Sequence, residues 1–345
     1  MSDVTTIEEE YEYPGWLVFN GLYKTSEYHD RSGSTEDIVD SFSGYTRGSP
    51  NSPQSGFELI DVSNKLQQMG ELNEATENFA QGLHSLRYVD EDWVEQIGYD
   101  ESGTEKMYYL PNHDEIRIYW DYINDVMIFK GQKQLLKRKE GDVREALAGD
   151  VRLESVSFDF DFFLWILYKQ YKNEPLSADL RVRQITQTST ATERPDNMGA
   201  GSVENSHNVL RSVLLIASVL GGKKIDEIQG DFILGNNKIK ALIEFGGKVH
   251  VKVSDSPLST LSELRRMGIS LQFLSEIVNL FQDWEHLDPE DRYPPPSFFD
   301  DMAENAEDEG WEPRFDPAEV KDRYERKRQG TGDSSSNPAK ADGAI

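Results

Sequence analysis

The chain has 345 residues, with 63 Asp and Glu against 36 Lys and Arg, and a formal net charge of −27. Hydrophobic residues make up 37 %, enough for a packed core, which excludes a wholly disordered acidic chain. The lack of cysteine excludes disulfides, thiolate metal sites and thiol nucleophiles.

A short apolar segment, Trp16 to Tyr23, follows Pro14 and Gly15 and reads as a docking segment. Residues 30–56 are rich in Ser, Gly, Pro and Asp and predict a mobile loop. Residues 58–82 place Ile60, Leu66, Met69, Leu72, Phe79 and Ala80 at helical spacing, with Gly70 separating two short helices. Over 92–129 the period changes to two. Ile116, Ile118 and Trp120 alternate with polar or aromatic neighbours, and turn residues fall at Asp100 to Gly103 and at Pro111 to Asp114, which predicts a small antiparallel meander. A basic stretch, a short helix opened by Asp142 and a strand near Val151 to Ser157 come next.

The helix expected from Asp159 to Tyr171 is apolar on most sides and therefore buried, with Asp159 as its N-cap. Leu180 to Thr186 reads as a strand, and 187–204 as a polar loop. Ser206 to Leu220, stopped by Gly221 and Gly222, is expected to be the central helix. Residues 227–253 predict a second meander, with turns at Gly235 to Asn237 and at Gly246 and Gly247. Thr260 and Glu263 fit a capping box for a short helix that Gly268 interrupts, followed by a longer one. Residues 285–316 are dense in acids and Pro, interleaved with aromatics, a composition that suits a partner-binding segment or a salt-adapted tail. Asp316, Pro317 and Glu319 open a short charged helix.

The expected fold class is α+β: two small antiparallel meanders packed with a buried central helix and C-terminal helices. The expected organisation is a docking segment and loop over 1–57, a core over 58–287 and an acidic, largely disordered tail over 288–345. Whether the core divides near 187 stays open.

Such a charge opposes compaction, and salt near 1 M shortens the screening length to roughly 3 Å. A halophilic host is therefore expected, the alternative being an ordinary acidic protein with acidic tails. The first residues show no signal-peptide pattern, and the apolar stretch Val209 to Leu220 is too short to cross a bilayer. A cytoplasmic protein without a membrane partner is expected.

No nucleophile elbow and no paired-histidine zinc pattern occurs. His207 beside Glu204 suits a base held by a carboxylate, but a helix-start histidine facing a polar loop is the simpler reading. Gly221 to Lys224 follows a helix instead of preceding one, so a phosphate loop is rejected. The sequence points to no cofactor.

Clustered positive charge is the anomaly in so acidic a chain. Lys130, Lys133, Lys137, Arg138 and Lys139 fall in ten residues without an acid. In the second meander, a three-residue loop of Gly246, Gly247 and Lys248 would pair Phe245 with Val249 and Ile243 with Val251. Lys238, Lys240, His250 and Lys252 would then share the opposite face. Arg181 and Arg183 share one side of their strand. These cations suit contact with nucleic acid or an acidic protein partner; they also suit solvated surface charge paired with the abundant acids. The alternatives are a metal-dependent hydrolase or nuclease using scattered Asp and Glu, and a non-catalytic subunit of a larger assembly.

Overall fold

The computed structural model describes residues 15–26, 42, 44–68, 74–147, 151–191, 201–203, 209–253, 263–308, 310 and 317–331. They fall into two units, Val18–Ser155 and Met1–Leu17 with Val156–Ile345. Each unit has its own sheet and helices, and the protein is of the α+β class. Strand β1 (Leu17–Phe19) lies where the chain first passes from one unit to the other. The second passage falls between Ser155 and Val156, not near residue 187. The reason is local: the strand ending at Ser155 pairs within the first unit, whereas the Phe158 N–H already donates to the Phe245 carbonyl of the second.

The first unit contains β2 (Gly21–Ser26), β3 (Ser55–Leu59), β4 (Leu83–Tyr99), β5 (Glu105–Asp121), β6 (Val126–Lys130) and β7 (Arg152–Ser155). They form one antiparallel sheet in the order β3-β4-β5-β6-β2-β7. Helices α1 (Val62–Gln68) and α2 (Glu74–Gln81) replace the pair expected over 58–82; Gly70 lies outside the described residues. The predicted period-two residues Ile116, Ile118 and Trp120 enter the core, together with Leu86, Tyr88 and Phe129. The segment 44–54 is pinned, because Glu91 on β4 accepts the Gly48 amide (2.8 Å) and the Gln54 amide (3.2 Å).

Two expectations are corrected in this unit. Pro111 to Asp114 is not a turn but the middle of β5, with Pro111 opposite Trp93. Counting outward from the hydrogen-bonded pair Asp100 and Thr104 puts Pro111 at a non-hydrogen-bonded position, where its missing N–H faces an open edge. Asp142 does not open a helix either. Helix α3 (Lys133–Leu147) runs straight through it, because Leu136, Val143 and Leu147 recur on one face and bury together.

The second unit contains α4 (Phe160–Tyr171), β8 (Leu180–Ala191), β9 (Gly201–Val203), α5 (Val213–Leu220), β10 (Lys224–Leu234), β11 (Asn237–Glu244) and β12 (Val249–Val253). Helices α6 (Glu263–His286), α7 (Pro289–Arg292), α8 (Pro296–Asp308) and α9 (Ala318–Arg328) follow. Its sheet has the order β1-β12-β11-β10-β8-β9. Asp159 caps α4 as expected, accepting the Asp161 N–H at 2.8 Å.

The expected central helix is shorter than read, because a 3-10 turn at Val209–Arg211 and Ser212 precede α5. The longest buried helix is α6. Gly268 does not interrupt it, since the helix is buried continuously from Met267 to Leu271, and packing overrides a glycine cost of about 1 kcal/mol. Thr260 and Asp316, like His207 and Glu204, lie outside the described residues. The polar loop expected over 187–204 is partly strand, in β8 and β9.

The acidic segment beyond residue 288 contains ordered helices. Its aromatics Phe298 and Phe299 are buried on α8, and the Tyr324 hydroxyl of α9 donates to Asp161 at 2.5 Å. Those side chains build the core and are not available as partner contacts. Among the described residues no helix is long and apolar enough to cross a membrane.

Candidate functional site

The hairpin of β11 and β12 sets the geometry of the cationic face. Its loop has three residues, as expected, but begins one residue earlier, at Phe245, and ends at Gly247. The Glu244 amide donates to the Lys248 carbonyl, and Ile243 pairs with Val249. The physical reason is the third loop position, which requires a left-handed backbone. Gly247 has φ +78°, and its Cα lies so close to the Val156 carbonyl that an added Cβ would stand 2.3 Å from that oxygen. Phe245 leaves the strand and stacks on Phe160 with ring centroids 4.2 Å apart. The register moves by two residues, so every side chain keeps the face expected for it.

That face can be read in rows across the strands. Arg181, Ile233 and Lys238 make the first row, and Gln184, Asp231, Lys240 and Lys252 the second. The third row holds Gln187, Gln229, Leu242 and His250, and the fourth Ser189, Glu227 and Glu244. Positive charge therefore gathers at one end and acid at the other. Glu244 is taken by Lys248 at 2.5 Å, and Glu227 is pushed up by burial and then by Glu244. Lys240 stands directly opposite Lys252, an arrangement that is destabilising for like charges unless an anion intervenes. None of Arg181, Lys238, Lys240 and Lys252 forms an ion pair with a described residue.

Two candidates change role. Arg183 is the extra residue of a β-bulge between the pairs of Val182 and Gln184, so it is exposed but displaced from the row that Arg181 begins. His250 is held below its ordinary pKa by burial and by Lys248, which leaves the imidazole neutral at pH 7. It contributes a ring, not a charge.

The residue that the charge pattern does not reveal is Trp16. Its ring lies 5.9 Å from the Lys240 ammonium and meets His250 edge-on at 6.4 Å. A lone Trp just before a strand was the only signal in the sequence.

The other basic cluster belongs to the first unit and is largely neutralised. Arg138 pairs with Asp114, and Lys139 pairs with Asp90 (2.7 Å) and Asp142 (3.2 Å). Lys133 and Lys137 are exposed on α3. Lys130 stands opposite Arg117 in a cleft of about 590 Å³ that Asp114 and Glu115 also line. Burial, then Arg117, lowers its pKa. This cleft is mixed in charge, unlike the upper rows of the β8–β12 sheet.

Among the described residues no group of three His, Asp or Glu could hold a metal ion. The Gly221 and Gly222 amides donate to the Ala217 and Val219 carbonyls, so they close α5 and do not face a phosphate. Compared with protein-family models and with curated proteins, the chain matches none.

Proposed function

We propose that this is a polyanion-binding protein of a salt-adapted cytoplasm, which holds a nucleic-acid backbone on the cationic rows of the β8–β12 sheet. The observation that carries the reading is one row of chemistry: Lys240 opposite Lys252, flanked by Lys238 and Arg181, without ion pairs to described residues in a chain of net charge −27. Phosphates positioned between the two lysines would relieve their repulsion. Trp16 and His250 supply ring faces beside them, on which an unpaired base can stack. The contacts are to phosphate, so the reading implies little sequence preference.

The test is fluorescence anisotropy with labelled single-stranded RNA and duplex DNA over a salt series. Four phosphate contacts give a slope of log affinity on log salt of about −3 to −4 on duplex DNA. Lys240→Glu combined with Lys252→Glu should weaken binding by at least about 100-fold, at the usual 1–3 kcal/mol for each charged contact reversed. An unmoved affinity in that variant, or no binding by the wild type at low salt, would remove the proposal.

A further inference from the structure

Beyond Asp90 on β4 and before Arg117 on β5, neither strand has a neighbour other than its partner. The two continue as a lone ribbon to the turn at Asp100–Thr104. An isolated two-stranded ribbon is marginal in water. The turn is well made: the Asp100 carboxylate accepts the Ser102 and Thr104 amides and pairs with Lys106 at 2.8 Å. The faces are not covered. Seven of the eleven large apolar side chains that are exposed among the described residues lie here, from 41 % exposure at Tyr108 to 70 % at Tyr99.

The register sorts them. One face carries Val94 opposite Leu110, Gln96 opposite Tyr108 and Gly98 opposite Lys106. The other carries Ile97 opposite Met107, with Tyr99 and Tyr109 beside Glu105 and Glu95. The first face has no carboxylate between Val94 and Leu110. Gly98 lets the Tyr108 ring lie close over the backbone, since an added Cβ would meet that ring at 3.0 Å, and the surface there is flat.

We propose that this ribbon is a twofold self-association surface, in which two copies of the chain meet through the carboxylate-free face of Val94, Tyr108 and Leu110. Charge selects a second copy as the occupant. Two molecules of net charge −27 repel one another over most of their surfaces, and this face lets them touch without opposing acids. The surface is self-complementary, as a twofold contact requires. The area agrees as well. Seven half-exposed side chains offer on the order of 700 Å², close to the roughly 800 Å² that each partner buries in a standard interface. The tyrosines of the second face would close the rim. This inference does not depend on the polyanion reading, which concerns the other unit.

The experiment is sedimentation equilibrium on the full chain in 1 M KCl, with the wild type, Val94→Lys/Leu110→Lys and, as a control for exposed apolar residues elsewhere, Leu214→Lys. A wild-type dimer is expected, with its dissociation constant raised at least about 100-fold in the ribbon variant and unchanged in the control. Circular dichroism should show the same fold in all three, because the substituted side chains are exposed. A wild-type monomer at every concentration, or a ribbon variant that dimerises as tightly as the wild type, would overturn the proposal.

Discussion

Two titratable side chains sit where their charged form is disfavoured, and each gives a signed expectation. Burial, then Asp161, raises the pKa of Asp159. The folded state therefore holds this proton more tightly than the unfolded chain does. Stability from this group is greatest at low pH and falls as pH rises from the unfolded pKa through the raised folded one. Asp159→Asn keeps an acceptor oxygen for the Asp161 amide and removes the buried charge. The variant should be the more stable form in urea at pH 7 and equal to the wild type near pH 3. A less stable variant at pH 7 would mean that the charge is needed against Lys327 and Arg292. The case of Lys130 is opposite in sign. Burial, then Arg117, lowers its pKa, so the cation is a cost that persists below the folded pKa and is relieved as pH rises through it. Lys130→Met should raise the melting temperature at pH 7, and a fall would show an unseen anionic partner. The capping role of Asp159 was legible from the sequence, since a short acceptor preceding an apolar run has few other readings. The cleft around Lys130 was not, because its other walls come from β5, which the period alone broke at Pro111.

At the scale of elements, turns and register were read more reliably than lengths. Both long hairpins close with a three-residue loop and a left-handed glycine in third place, Gly103 and Gly247, each at φ +78°. That shared chemistry predicts a sharp contrast between neighbours. Gly246→Ala meets nothing within 4 Å and should be neutral, whereas Gly247→Ala meets the Val156 carbonyl and a forbidden backbone conformation. The second variant should lose about 1–3 kcal/mol in denaturant unfolding. Equal stability of the two would mean that the hairpin can shift its loop back to the register expected from the sequence. That alternative register was plausible because faces are preserved by a slip of two; only the close approach of Val156, a contact distant in sequence, selects between them. The same limit explains α3 and α6. Gly141 and Gly268 read locally as breaks, but Leu136 with Val143, and Met267 through Leu271, are buried by partners that no local window contains.

At the scale of the molecule, the net charge makes salt the variable that separates the two surfaces. On the β8–β12 sheet, binding would release counterions from phosphate, and affinity should fall as salt rises. On the β4–β5 ribbon the driving term is apolar burial opposed by long-range repulsion between two chains of −27. Raising salt from 0.1 to 1 M shortens the screening length from about 10 Å to about 3 Å and removes most of that opposition. Self-association should therefore strengthen over the range in which nucleic-acid binding weakens. Both can be followed on one preparation in KCl, by anisotropy of a labelled oligonucleotide and by sedimentation of the protein alone. Opposite slopes would identify two independent surfaces with different forces behind them. If both processes weakened together, the association would be electrostatic and the apolar ribbon would not be its interface. If both strengthened, the bound nucleic acid would be held by stacking on Trp16 and its neighbours, and the lysine rows would be surface charge.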